Sequence, residues 1–157
     1  MIHLVPMTAA EFDAFCDREV PAYASEKVIN GTWPEHESLA LAVAAFDELL
    51  PEGLLTKRHY FYTIRSVLTG EHLGDIWLAD DAANFPRSGF IYGLHIVETH
   101  RRQGVAQAAM RAVEMVAQSL GFDTLRLHVF GRNREAISLY QKLGYAVTDL
   151  NMVKCLQ

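Results

Sequence analysis

The spacing of hydrophobic residues changes along the chain, and each change predicts a different kind of element. Over residues 8–50 apolar side chains recur every three or four positions, which is typical of amphipathic helices. A capping box of Thr8 and Glu11 begins the first helix, and Pro34 suits the first turn of the second. The predicted buried stripe of the second helix comprises Leu39, Val43, Phe46 and Leu50.

Four runs have the composition of β-strands instead. Residues 2–5, 60–67, 73–78 and 90–97 are rich in β-branched, aliphatic and aromatic side chains, and a Thr-Gly turn between the second and third runs indicates a hairpin. Gly93 interrupts the last run. Because a glycine inside a strand often marks a bulge, we expect this strand to be irregular.

The last third of the chain alternates helix and strand. A wide apolar stripe predicts a long helix over residues 105–120, and residues 125–130 predict a strand. Asn133 is placed to cap another helix, and residues 145–147 and 152–156 are candidate closing strands. The order β-α-α-β-β-β-α-β-α-β-β predicts a mixed α/β layer fold whose first half is largely antiparallel.

Length, composition and charge narrow the class of protein. The 157 residues are about one domain, so we predict a single domain over residues 1–157. The net charge of −5 argues against a nucleic-acid partner, and no apolar run is long enough to span a membrane. Cys16 and Cys155 form no disulfide framework, which favours a reducing, cytoplasmic location.

The segment between residues 94 and 106 carries the clearest chemical signal. A strand leads through a short polar loop directly into a long helix, whose first-turn amides are free to bind an anion. Gly104 and Ala106 keep the side chains there small, and Arg101 and Arg102 add positive charge. The segment predicts a phosphate-binding site, and the alternative is an ordinary strand-loop-helix junction with two solvated arginines. It contains neither a Walker loop nor a three-glycine dinucleotide fingerprint.

Two motifs resemble those of the GNAT acetyltransferase superfamily. Arg101-x-x-Gly104-x-Ala106 resembles its Arg/Gln-x-x-Gly-x-Gly/Ala signature, and residues 133–145 resemble its Asn-x-x-Ala-x-x-Leu-Tyr-x-x-x-Gly-Phe/Tyr motif. The resemblance implies the acyl-coenzyme A N-acyltransferase fold, with a mostly antiparallel sheet of about 6–7 strands, splayed in the middle, and about 4 flanking helices. It implies a coenzyme-binding core over residues 90–145 and a variable acceptor-binding part over residues 8–55.

The same resemblance implies an activity, namely transfer of the acetyl group of acetyl-coenzyme A to a primary amine by direct attack in a ternary complex. The backbone amides that would hold the coenzyme's pyrophosphate are those of Gln103, Gly104, Val105 and Ala106, beside Arg101 and Arg102. Leu94 and Ile96 would offer backbone groups to the thioester carbonyl and the pantetheine arm. Asn133 would contact that arm, cap its helix, or do both.

Proton transfer needs an acid for the leaving thiolate and a base for the amine. Tyr140 matches the motif tyrosine, so the resemblance implies that it is the acid; the alternative is a packed core tyrosine. His128, on the predicted strand before that motif, is the candidate base, or else a structural histidine. His95 and Tyr92, on either side of Gly93, are second candidates. The histidines lack metal-ligand spacing, so we predict no metal site.

Other interpretations remain open. The chain could be a non-catalytic acyl-coenzyme A-binding or regulatory module, an acyltransferase for a longer acyl group, or an interaction protein without a small ligand. The acceptor could be a small-molecule amine, an antibiotic, a polyamine or a peptide N-terminus. Family members are commonly dimers, so a homodimer is one expected assembly. Candidate walls of the amine pocket are Trp33, Tyr62, Trp77 and Phe85.

Overall fold

The computed structural model describes all 157 residues, which divide into two compact units, Met1–Leu127 and His128–Gln157. The first unit contains five strands and three helices, and the second contains one helix. The strands are β1 (Ile2–Pro6), β2 (His59–Ser66), β3 (His72–Asp80), β4 (Ser88–Ile96) and β5 (Thr124–Leu127); the helices are α1 (Ala9–Ile29), α2 (Glu35–Leu49), α3 (Val105–Ser119) and α4 (Arg134–Lys142). No helix is both long and apolar enough to span a bilayer.

The five strands form one mixed sheet in the order β1-β2-β3-β4-β5. The first three pairs are antiparallel and β4 pairs with β5 in parallel, which confirms the predicted mixed α/β sheet with a largely antiparallel first half. The strand count is lower than expected, because residues 145–147 and 152–156 form no strand. A strand requires a ladder of backbone hydrogen bonds to a neighbouring strand, and neither run joins the sheet.

Each face of the sheet is covered by helices. On one face, Phe61 of β2 and Trp77 of β3 pack with Phe12 and Phe15 of α1 in an aromatic core. Because side chains alternate along a strand, Ile64, Ile76 and Leu78 lie on the opposite face. There α3, whose buried side chains include Met110 and Val113, packs across β1, β3 and β4.

The predicted stripe of α2 was only half right. Leu50 is buried and Phe46 packs against the aromatic core, but Leu39 and Val43 are 55% and 44% exposed. The positions that α2 buries instead are Ser38 and Ala42, which precede the predicted ones by one residue. Small side chains at these two positions allow α2 to lie close to α1. The hydrophobic pattern of the sequence does not show which face of a helix will be packed this closely.

The predicted start of α1 is confirmed, whereas Pro34 lies at the N-cap position of α2, one residue before its first turn. The Thr8 amide donates to Glu11 Oε2 at 2.9 Å and the Glu11 amide to Thr8 Oγ1 at 3.2 Å, so the predicted capping box forms. Glu11 also accepts a hydrogen bond from Thr63 Oγ1 and pairs with Arg65. Burial opposes its ionisation, but the hydrogen bonds and Arg65 outweigh burial and leave the pKa of Glu11 below its ordinary value.

Candidate active site

Strand β4 is at the centre of the predicted site, and it loses one of its two neighbouring strands along its length. Residues 89–96 pair with β3, except for Tyr92, whereas β5, which ends at Leu127, pairs only with residues 88–91. A register shift beside Trp77 leaves Tyr92 as the extra residue of a bulge, next to Gly93, so the predicted irregularity is confirmed. Beyond residue 91, the edge of β4 that faces β5 therefore has no hydrogen-bonded neighbour in β5. This open part of the edge includes Leu94 and Ile96.

The loop that follows β4 is held by its own side chains. Residues Glu98–His100 form a short 3₁₀ turn. Arg101 Nε donates to the Ile96 carbonyl at 3.0 Å, and Gln103 Nε2 donates to the Thr99 carbonyl at 3.0 Å. Arg102 has a φ of 59°, which costs a non-glycine residue about 1 kcal/mol or more. Strain of this kind is common where a loop is shaped for a ligand.

Helix α3 begins without a cap. Gly104, its N-cap residue, has a left-handed φ of 80°, offers no side-chain hydrogen bond, and is followed by no acidic residue in the first turn. The amides of Val105, Ala106 and Gln107 belong to that first turn and have no intrahelical acceptor. A Cβ built on Gly104 meets no atom within 4 Å. Open space therefore faces several free amides and the positive end of the helix dipole, which suits a phosphate group.

A second group of polar side chains lies on the α1 side of the sheet. Asp75 of β3 is only 4% exposed, and it pairs directly with His95 of β4 in the strand register. His72 Nε2 lies 3.0 Å from Asp75 Oδ1, and Arg18 Nη1 of α1 lies 2.9 Å from Asp75 Oδ2. His95 Nδ1 lies 3.9 Å from the same Oδ2. A buried carboxylate thus joins two histidines and an arginine behind the open edge of β4.

An aromatic layer borders this polar group. Trp77 stacks on Tyr92 with ring centroids 4.6 Å apart, and its Nε1 donates to His59 Nδ1 at 3.0 Å. Burial lowers the pKa of His59, so its ring is a neutral acceptor for that hydrogen bond. Burial, reinforced by the charge of Asp81, raises the pKa of Tyr92. The Tyr92 phenol therefore stays protonated near neutral pH.

The predicted walls of the amine pocket are not all brought together. Trp77 belongs to the aromatic core, whereas Trp33 packs edge-on against Tyr23. Phe85 lies under the guanidinium of Arg126, 3.6 Å from the ring centroid. A cavity of about 140 Å³ lies elsewhere, between α1 and α2, and contains none of these four residues. Cys16 lines that cavity, and burial raises the pKa of its thiol to about 11.

The second unit, His128–Gln157, carries three of the predicted residues. Asn133 is the N-cap of α4, and its side chain accepts from the Ala136 amide at 3.2 Å, which confirms the predicted cap. Tyr140 lies on α4 against Tyr145, with ring centroids 5.9 Å apart, and burial raises its pKa. His128 follows β5 rather than lying within it, because the strand ends at Leu127 and not at Phe130 as expected, and its side chain is exposed.

Asp75 and Arg18 are not among the residues predicted from the sequence. Asp75 lies within a predicted strand, three residues after His72. Aspartate is uncommon inside strands, so its presence between Gly74 and Ile76 was the signal that could have identified it. Arg18 lies on the sheet-facing side of a helix that the sequence showed only as amphipathic. Nothing in the one-dimensional pattern relates these residues to His95.

Residues 25–145 match the sequence model of the Acetyltransferase (GNAT) family. The chain belongs to this family. The family model covers most of the chain, including both predicted motifs, and the fold agrees with it. The structure holds no group of three or more His, Cys, Asp or Glu side chains placed to bind a metal ion.

Similar proteins cover the whole chain. The chain is 37% identical over 151 residues to YdgE of Bacillus subtilis, which is named an uncharacterized N-acetyltransferase, and 96% of each chain is covered. It is similar to the crystal structure of YycN from the same organism, with 33% identity, a TM-score of 0.93 and 100% and 99% coverage. It also shares its fold with AAC(6')-Iy in complex with the bisubstrate analogue CoA-S-monomethyl-acetylneamine, at 14% identity, a TM-score of 0.62 and 100% and 99% coverage.

Proposed function

We propose that this GNAT protein transfers the acetyl group of acetyl-coenzyme A to a primary amine. The observation that carries the proposal is the uncapped start of α3, where Gly104 is left-handed and free first-turn amides face open space. A protein of the same fold, AAC(6')-Iy, binds an analogue that contains coenzyme A. An amine acceptor agrees with the names of two similar proteins, each of which is called an uncharacterized N-acetyltransferase.

The residues around the α3 start fit the coenzyme's pyrophosphate. We propose that it is bound by the backbone amides of Gln103, Gly104, Val105 and Ala106. The exposed guanidinium groups of Arg101 and Arg102 add positive charge beside these amides. The open β5-side edge of β4, at Leu94 and Ile96, offers backbone groups to the pantetheine arm and the thioester carbonyl.

Two residues of the second unit complete the proposed assignment. Tyr140 is the proposed acid for the leaving thiolate, and its raised pKa keeps the phenol protonated near neutral pH. Asn133 is proposed to contact the pantetheine arm besides its observed role as a cap. His128 stays a candidate base for the acceptor amine. We further propose a cytoplasmic enzyme, since both cysteines are free thiols, and a homodimer as the assembly to test.

Binding and turnover test the proposal separately. Isothermal titration calorimetry should detect acetyl-coenzyme A, and S-acetylpantetheine, which lacks the pyrophosphate, should bind far more weakly. Equal affinities for both compounds would refute the proposed phosphate site. Thiol release should then be measured with spermidine, neamine and a tripeptide with a free N-terminus. Tight binding with no thiol release from any amine would favour a non-catalytic acyl-coenzyme A-binding module. Faster thiol release from a longer acyl-coenzyme A than from acetyl-coenzyme A would favour an acyltransferase for a longer acyl group.

A further inference from the structure

We propose that His95 is the general base for the acceptor amine and that Asp75 is the positioning residue that orients its ring. This inference rests on the proposed acetyl transfer, because it assigns a step of that reaction. It concerns only residues of β3, β4 and α1, which belong to the same compact unit.

The sheet brings His95 to the place where the reaction is proposed. His95 lies on β4 between Leu94 and Ile96, beyond the last residue that pairs with β5. Alternation along the strand sends its side chain to the face opposite theirs, toward α1. Gly74 fixes this arrangement, because a Cβ there would overlap the His95 carbonyl oxygen. The close approach of β3 and β4 sets Asp75 directly beside His95.

Two buried polar atoms of this pair face each other without a hydrogen-bond partner. They are Asp75 Oδ2 and His95 Nδ1, 3.9 Å apart. Arg18 approaches Asp75 Oδ2 at 2.9 Å as a charge partner but outside hydrogen-bond geometry. A proton on His95 Nδ1 is favoured by the adjacent carboxylate, and the lone pair is then left on Nε2.

The surroundings also set the charge of the ring. Burial is the largest effect and lowers the pKa of His95, and the positive charges of Arg18, Arg101 and His72 lower it further, while Asp75 opposes them. The imidazole is therefore neutral near pH 7, as a base must be. The side chain is 28% exposed, so the ring is not sealed from the solvent side.

The acceptor ammonium gives one proton to His95 Nε2, and the freed nitrogen lone pair forms a C–N bond to the acetyl carbonyl carbon. The C–S bond breaks with its electron pair on sulfur. The second proton of the nitrogen ends on that sulfur, so that the products are an amide, a free thiol and a protonated His95, which returns its proton to solvent.

The state of the ring can be measured without any substrate. In ¹⁵N-labelled protein, the His95 ring nitrogens should show the Nδ1–H tautomer and a pKa below 6.5, with and without acetyl-coenzyme A. Asp75→Asn should lower that pKa further and weaken the tautomer preference, because the charge that opposes the other groups is removed. An Nε2–H tautomer, or a pKa above 6.5, in the wild type would overturn the proposal, even where Asp75→Asn fails to fold.

Kinetic measurements then test the catalytic role of His95. They use whichever of spermidine, neamine and the tripeptide gives the highest turnover. His95→Gln should lower kcat by roughly a hundredfold or more and remove the acid limb of the kcat/KM pH profile, with acetyl-coenzyme A affinity unchanged. Asp75→Asn should keep that limb but move it to lower pH. His3→Gln, at an exposed position of β1 outside both proposed binding regions, is the matched control and should change nothing.

The two proposals fail in different ways. No binding of acetyl-coenzyme A, or no thiol release from any amine by the wild type, would overturn the proposed function and the base role with it. Normal turnover in His95→Gln, with its acid limb intact, would overturn the base role alone. An acid limb that disappears in His128→Gln and persists in His95→Gln would assign the base to His128 instead.

Discussion

Substitutions of Gly104 can distinguish the effect of backbone strain from the effect of charge at the proposed phosphate site. Its φ of 80° lies in the left-handed region, and a Cβ there meets no protein atom within 4 Å. Any side chain at this position therefore has the same backbone cost, about 1–2 kcal/mol, and no steric cost within the protein. For a chain of this length each kcal/mol lowers Tm by about 2–4 °C. Gly104→Ala, Gly104→Gln and Gly104→Glu should thus be destabilised to a similar extent.

Only the glutamate should abolish acetyl-coenzyme A binding by its charge. Two like charges about 5 Å apart near a protein surface repel by about 3 kcal/mol, which corresponds to more than a hundredfold in affinity. A carboxylate also competes for the free amides at the start of α3. Glutamine has nearly the same shape without the charge, so the difference between Gly104→Gln and Gly104→Glu isolates the electrostatic effect.

Calorimetry with acetyl-coenzyme A at low and high salt measures this difference, and thermal unfolding of each variant measures the strain. The affinity gap between glutamine and glutamate should narrow as salt rises, because salt screens exposed charges. Equal affinities for the two variants at low salt would refute the reasoning, since no anion would then be bound at the start of α3.

Three further outcomes are expected. Tyr140→Phe should lower turnover, measured by thiol release, and leave acetyl-coenzyme A affinity nearly intact; unchanged turnover would remove the acid role. Stability should fall as pH drops below about 6.5, the ordinary pKa of histidine, because burial lowers the pKa of His59 and His95 and the unfolded chain then binds more protons. Urea unfolding at pH 7.5 and 5 tests this, and a free energy of unfolding that does not fall at the lower pH would contradict it. Asn133→Ala should cost α4 about 1 kcal/mol through the lost cap, measured by urea unfolding against an Asn133→Ser control that retains a capping oxygen.

The sequence predicted local structure well wherever the stabilising interaction is made within one short segment. The capping box of Thr8 and Glu11 and the cap of Asn133 satisfy amides within three residues, so no tertiary contact is needed to form them. Gly93 likewise indicated the bulge of β4 from the sequence, because a glycine within a strand is a local signal for such an irregularity. The α2 stripe failed by one position, because the identity of the buried face depends on how closely α1 approaches.

The surroundings of His95 were not predictable in this way. Asp75 and His95 are twenty positions apart in the chain by their numbering, and their pairing depends on the register of β3 with β4. Arg18 joins them only because α1 packs on that face. The direction of the His95 pKa shift follows from burial and from charges on three different segments, so a sequence pattern could name the histidine but not its protonation state.

The sequence by itself determined the family and the phosphate-site candidate, since a glycine and small side chains at the start of a helix act through the local backbone. It also determined the kinds of element and most of their order. The tertiary structure alone decided which side chains meet: it placed a buried carboxylate beside His95 and set the charges around that ring. The physical reason is that backbone conformation is set by near neighbours, whereas burial and electrostatics are set by residues that the fold brings together from distant parts of the chain.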